Sequence, residues 1–363
     1  MHKSHWPIRL LCASLASAVA STVISSASAQ PTPVLRKLPA DSIWRRVWAI
    51  GGDSTSDAFV EPRQIVATGG LAVILDAGTR EVRALDARTG ALRFVVKPTG
   101  EGPGEFRRPA FIASTPTGFA VLDQADARLT AYDRLGKFLW TTIVPDVFTI
   151  NGLCVYGDSR TPTRIVATHS RRDSSLVEID TAGRRPVKRS IPWREAVRGA
   201  VGFAYSHVTS NASARGECVV APLFGSEWGL VATGGPARAF RVIEPGAQPV
   251  VETSRRILDR SLTSAVIEST QQSDTPQASR GALIIGDTAI VYAARTKTFP
   301  LRWLDYYRAS TGAYLYSRKL PFIANGIAIG DDGTIFATSI GTTSNVIVAL
   351  RPATVVAALR KKQ

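Results

Sequence analysis

Shifted by 47 positions, this chain falls on itself. Phe59, Pro62, Ile65, Thr68, Leu75, Asp76, Ala84 and Asp86 land on Phe106, Pro109, Ile112, Thr115, Leu122, Asp123, Ala131 and Asp133. Those are eight identities at one offset, without a gap. A period of this length belongs to repeat architectures, above all the blades of a β-propeller. A single unit cannot bury its own apolar residues, so the units must stack.

The residues inside each unit read as short strands bounded by turn formers. Leu71–Leu75, Val82–Leu85 and Leu92–Val96 are separated by Asp76-Ala77-Gly78-Thr79 and Ala87-Arg88-Thr89-Gly90. Ile112–Ala113, Phe119–Leu122, Leu129–Tyr132 and Phe138–Ile143 repeat the scheme. The connections are too short for crossover helices, so each unit is a four-stranded antiparallel meander. Later units are more degenerate. A third runs from about Phe148 to Arg189, and a fourth uses Phe203–Val208, Glu217–Val220, Gly229–Val231 and Ala239–Val242. A fifth uses Ala282–Ile285, Ala289–Ala293, Leu301–Tyr306 and Leu315–Leu320. The last, Gly326–Ile329, Thr334–Thr338 and Asn345–Leu350, lacks a fourth strand, while Ile43–Ile50 is a strand without a blade. Pairing the two closes a ring and removes the exposed edge.

The fold expected is therefore all-β: a six-bladed propeller over 43–352, closed by its N-terminal strand, after a linker over 30–42 and before a tail over 353–363. One segment breaks the pattern. Ile257, Leu258, Leu262, Ala265 and Val266 recur at helical spacing, which predicts an amphipathic helix over about 253–272, inserted between the fourth and fifth blades.

Residues 1–29 read as a secretory signal peptide. Lys3 and Arg9 precede or border an apolar, small-residue run over Leu10–Ile24, and Ala27-Ser28-Ala29 is a cleavage pattern. Export to the periplasm or the exterior is expected, with no transmembrane segment. Removing 29 of 363 residues leaves 334, and the net charge falls from +15 to +13. That charge suits an anionic envelope component. It equally suits solubility alone, because arginine is scattered and the longest basic block is Arg360-Lys361-Lys362. Nucleic acid is not an expected partner. Two cysteines remain, Cys154 and Cys218. Export permits a disulfide between them, and a pair of buried thiols is the competing reading.

The second unit resembles an NHL-type repeat. The resemblance rests on Gly102-Pro103-Gly104-Glu105-Phe106, Pro109, Val121-Leu122-Asp123, Arg128-Leu129, Tyr132-Asp133 and Gly136-Lys137. The family's turn usually carries Asn before the Arg pair, where this chain has Asp126-Ala127. The first unit matches less fully, through Phe59, Pro62, Leu75-Asp76 and Leu85-Asp86. The whole is similar to exported bacterial six-bladed propellers. This implies the fold, and leaves binding proteins, lyases and lactonases open as functions.

The Gly100–Phe106 stretch lacks the Lys-Ser/Thr of a phosphate loop. Its glycines, Gly102 and Gly104, are expected to allow positive φ where the chain crosses between blades, with Pro103 stiffening the crossing. Glu101 and Glu105 project onto that face by this reading, and blade topology places Asp76 and Asp123 in turns of the same face. Such a carboxylate group is a candidate Ca²⁺ site, although no ligand loop is visible; no other cofactor is expected. After signal removal only His169 and His207 remain, too few for the three-ligand zinc site of a propeller lyase. His207 is the better candidate for the central channel, and a hydrogen-bonded structural role competes with it. The tryptophans are expected to pack between blades rather than to form a carbohydrate platform.

The function expected is that of an exported, monomeric binding or scaffolding module for a protein, peptide or carbohydrate ligand, using the crossing face and channel mouth. The alternative is a divalent-cation-dependent lactonase or lyase.

Overall fold

The strands Leu71–Asp76 and Gly118–Asp123 are buried at every position. A strand with no exposed face must lie in a sheet covered on both sides. The computed structural model describes residues 37–39, 43–51, 59–97, 100, 102–157, 162–169, 176–181, 186–191, 208–212, 216–221, 227–232, 234–244, 252–260, 265–272, 279–293, 302–340 and 345–353. The proposed signal peptide and C-terminal tail beyond Ala353 lie outside them.

Strand β1 (Trp44–Gly51) comes first and stands apart from its neighbours in sequence. Blade 1 is β2 (Pro62–Thr68), β3 (Leu71–Asp76), β4 (Glu81–Asp86) and β5 (Leu92–Val96). Blade 2 is β6 (Pro109–Thr115), β7 (Gly118–Asp123), β8 (Arg128–Asp133) and β9 (Phe138–Ile143). Blade 3 is β10 (Ile150–Gly157), β11 (Pro162–His169), β12 (Leu176–Asp180) and β13 (Val187–Ser190). Blade 4 is β14 (Val208–Ala212), β15 (Glu217–Val220), β16 (Glu227–Ala232) and β17 (Ala237–Arg241). A two-stranded hairpin follows, β18 (Glu252–Arg260) and β19 (Ala265–Gln272). Blade 5 is β20 (Ser279–Ile285), β21 (Thr288–Ala293), β22 (Trp303–Arg308) and β23 (Tyr314–Lys319). Blade 6 is β24 (Gly326–Ile329), β25 (Ile335–Ile340) and β26 (Asn345–Pro352), completed by β1.

The closure expected from sequence is present. β1 pairs antiparallel with β26, from Trp44 opposite Pro352 to Gly51 opposite Val346. Six apolar clusters account for the buried strands, one per seam between neighbouring blades. Val73 and Leu75 of blade 1 pack with Phe119 and Val121 of blade 2, while Ala72 and Ile74 of the same strand turn the other way, to Trp48 and Phe336 of blade 6. The period-2 alternation thus survives, but both sides of it are core.

One expectation is corrected. Residues 253–272 form the β18–β19 hairpin, with Ile257 opposite Ile267, not a helix. The apolar spacing fits both periods over so short a stretch, and Thr253, Ile257, Val266, Ile267 and Thr270 are β-branched residues that favour extended backbone. The described inner strand of blade 4 is Val208–Ala212, whereas the sequence pattern placed it at 203–208; residues 203–207 lie outside the described set. Among the described residues the only helical turn is the 3₁₀ segment Val147–Thr149.

Blades 3 and 4 carry extra links. Cys154 on β10 and Cys218 on β15 are joined as a disulfide across 64 residues of sequence. Glu178 on β12, 4% exposed, accepts from Arg164 Nη1 at 3.2 Å, from Arg189 Nη2, and from the Gly234 backbone N–H of blade 4 at 2.9 Å. Burial pushes this carboxyl up, but the hydrogen bonds from Arg189 and Gly234 and the two guanidinium charges together hold it below its ordinary range.

Candidate functional site

The crossing face was the expected ligand face, and blades 1 and 2 show what its carboxylates do. Asp76 accepts hydrogen bonds from the backbone N–H groups of Val60 at 2.9 Å, Glu61 at 2.7 Å and Gly78 at 3.2 Å. Asp123 accepts from Arg107 at 2.7 Å, Arg108 at 3.0 Å and Ala125 at 2.8 Å. The partners are related by the same 47-residue offset as the acids. Both side chains are buried, at 0% and 1% exposure. Neither projects from the face. Each ties the incoming crossing to the turn after the second strand, satisfying donors that would otherwise be stranded at a strand end.

Glu105 folds back instead of projecting. Its Oε2 accepts from Gly102 N–H at 2.7 Å. Gly104 has φ of +78°, and a Cβ there would meet the Phe138 side chain at 2.9 Å. Gly102 differs from the expectation, because its backbone is not left-handed; a Cβ at that position would meet only the flexible end of Glu105, at 2.9 Å. Pro103 lies exposed between them. The Gly104 carbonyl accepts from Tyr132 Oη at 3.0 Å. Asp126 bridges Arg107 and Arg128. Burial raises its pKa, but the two arginines outweigh burial and hold it below its ordinary range. Glu101 and His207 lie outside the described residues. His169 ends β11. Among the described residues no three His, Cys, Asp or Glu side chains converge on a metal-sized point.

The sequence reading missed a groove at the crossing from blade 5 to blade 6, of about 630 Å³. Its apolar wall includes Trp44, Leu320, Phe322, Val348 and Leu350, and Arg46, Arg302 and Lys319 also line it. Trp44 is fixed by two contacts: its Nε1 donates to the Lys319 carbonyl at 2.7 Å, and the Arg318 guanidinium lies 5.8 Å from its ring. The Lys319 ammonium stands 5.8 Å from the Trp303 ring. Arg302 Nε is buried and has no acceptor among the described residues. Among the described residues no carboxylate pairs with Arg46, Arg302 or Lys319.

The location has a structural cause. In three other seams, the glycine of the turn between third and fourth strands packs on the outer strand of the preceding blade. A Cβ on Gly90 would meet Trp48 and Ile50, one on Gly136 would meet Phe94, and one on Gly312 would meet Phe240, all within 3 Å. In blade 6 the third and fourth strands are β26 and β1, which come from opposite ends of the chain. No tight turn joins them. Lys37 runs along β23 nearby, its carbonyl accepting from Ser317 N–H at 2.9 Å. The sequence signal that marks the groove is therefore the orphan strand itself.

No family model matches the sequence, and no curated protein matches it. Solved structures do. A member of the DUF4221 family from Bacteroides vulgatus is 10% identical, with a TM-score of 0.53, over 85% of this chain and 98% of that one. A virginiamycin B lyase from Staphylococcus aureus is 13% identical, with a TM-score of 0.47, over 84% and 100%. A protein of Bacteroides fragilis described as exported is 12% identical, with a TM-score of 0.46, over 87% and 97%. The first of these likenesses supports the propeller fold; at 10% identity it says nothing about activity.

Proposed function

We propose that this chain is an exported binding module, with the groove between blades 5 and 6 as its ligand site. The observation that carries the proposal is an apolar wall held in place beside three cations with no carboxylate partner among the described residues. A cleft of this size and mixed lining suits a small ligand, with apolar walls supplying affinity and a few polar groups supplying orientation. The ring is a rigid support, because every blade is packed on both faces. The signal-like N-terminus supports export. No helix among the described residues is long and apolar enough to cross a membrane.

The rival reading is a cation-dependent lactonase or lyase. A turnover panel of lactones and streptogramin-type lactone peptides, run with and without EDTA, separates the two. The binding-module reading expects no chelator-sensitive turnover by the purified protein. Stoichiometric metal together with turnover lost in EDTA would replace it with the enzyme.

A further inference from the structure

We infer that the ligand of this groove is an acyl carboxylate: an apolar chain bearing one carboxylate head. The inference rests on the binding-module reading and narrows its ligand class. It starts from the chemistry of the lining. Trp44, Phe322 and Leu350 offer aromatic and aliphatic surface, which an unbranched chain covers without needing hydrogen bonds. Arg46, Arg302 and Lys319 line the same space, and like charges gathered without counter-charge repel one another until an anion arrives. Arg302 adds a directional element. Its Nε is buried with no acceptor among the described residues, and a buried donor in that state suits an acceptor supplied by a ligand. A guanidinium accepts a carboxylate through paired N–H groups, which suits a planar head better than a neutral one.

Sugars fit less well. A sugar would meet few acceptors here, since the described charged groups of the lining are all donors. A cationic amphiphile would be repelled.

The groove is also preorganised for this ligand. Trp44 is held by the Lys319 carbonyl and by Arg318, so little side-chain freedom remains to be lost on binding.

The test is isothermal titration of the full-length purified protein with dodecanoate and, separately, with dodecyltrimethylammonium, both below their micelle concentrations. The two probes share a tail and differ in head charge. Saturable 1:1 binding of dodecanoate is expected, with at least about tenfold weaker binding of the cation. The exposed pair Arg46→Glu and Lys319→Glu should weaken dodecanoate by about tenfold or more and strengthen the cation, with an unchanged melting temperature. Arg302→Met keeps the apolar stem and should weaken dodecanoate alone. Equal binding of both probes, or dodecanoate binding insensitive to all three substitutions, would overturn the acyl-carboxylate inference while leaving the binding module standing. Absence of dodecanoate binding would overturn the inference as well, and the EDTA-controlled turnover panel judges the module reading independently.

Discussion

Asp76 and Asp123 show how a residue that reads as a site from sequence becomes a structural device in space. A carboxylate at the end of a blade's second strand, beside glycines and other acids, has the composition of a cation site. In the fold each one accepts three backbone N–H groups and is buried. The repeat itself held the clue, since both acids recur at the same offset as the crossings they bind. The glycines divide in a similar way. Gly104 sits at φ +78° against Phe138, so a side chain there is strained and crowded. Gly104→Ala should lower stability by about 1–2 kcal/mol, the cost of a left-handed non-glycine residue. Gly102→Ala should cost clearly less, because only the end of Glu105 must move. Paired thermal melts check this; equal losses would show that the turn is constrained at both positions. The left-handed conformation also recurs at non-glycine residues, at Arg80 with φ of 59° and Ala127 with φ of 50°. They are one repeat apart.

At the scale of elements, the strands of blades 1 and 2 were legible because their turns carry Asp and Gly at repeating positions. The orphan strand at Ile43–Ile50 was legible for a topological reason: a ring cannot leave an edge open. The segment at 253–272 was not. Its apolar residues satisfy a helical period, yet β18 and β19 pair in register with a bulge between Ile257 and Asp259, and β-branched content decides where spacing does not. The cysteines were equally open in sequence, because no spacing gives the distance between strands of different blades. Their bond joins β10 to β15, with Cα atoms 6.0 Å apart. Closing a 64-residue loop in the unfolded chain should stabilise the protein by about 2–4 kcal/mol. Cys154→Ala with Cys218→Ser should therefore lower the melting temperature, and dithiothreitol should lower that of the parent but not of the double variant. A parent whose melt ignores the reductant would mean that the seam between blades 3 and 4 stands without the bond.

For the whole molecule, the seam between blades 5 and 6 differs from the three seams closed by a glycine of the turn between third and fourth strands. Where Gly90, Gly136 and Gly312 close their seams, blade 6 pairs β26 with β1, two strands far apart in sequence. The groove, its anchored Trp44 and Arg46, Arg302 and Lys319, which have no carboxylate partner among the described residues, lie there. The fold class was written in the 47-residue repeat, and the site was not, because its lining comes from residues 43, 44, 46, 302, 319–322, 348 and 350, which share no motif. The net charge of +15 hinted at an anionic partner without saying where on the molecule it would sit. Hydrogen exchange of the full-length protein with and without dodecanoate asks that question directly. The account expects slowed exchange in the first half of β1, in the crossing around Leu320–Phe322 and at the end of β26, with the turns at Asp76 and Asp123 unchanged. Protection centred on those turns, with the blade 5–6 groove unaffected, would contradict it.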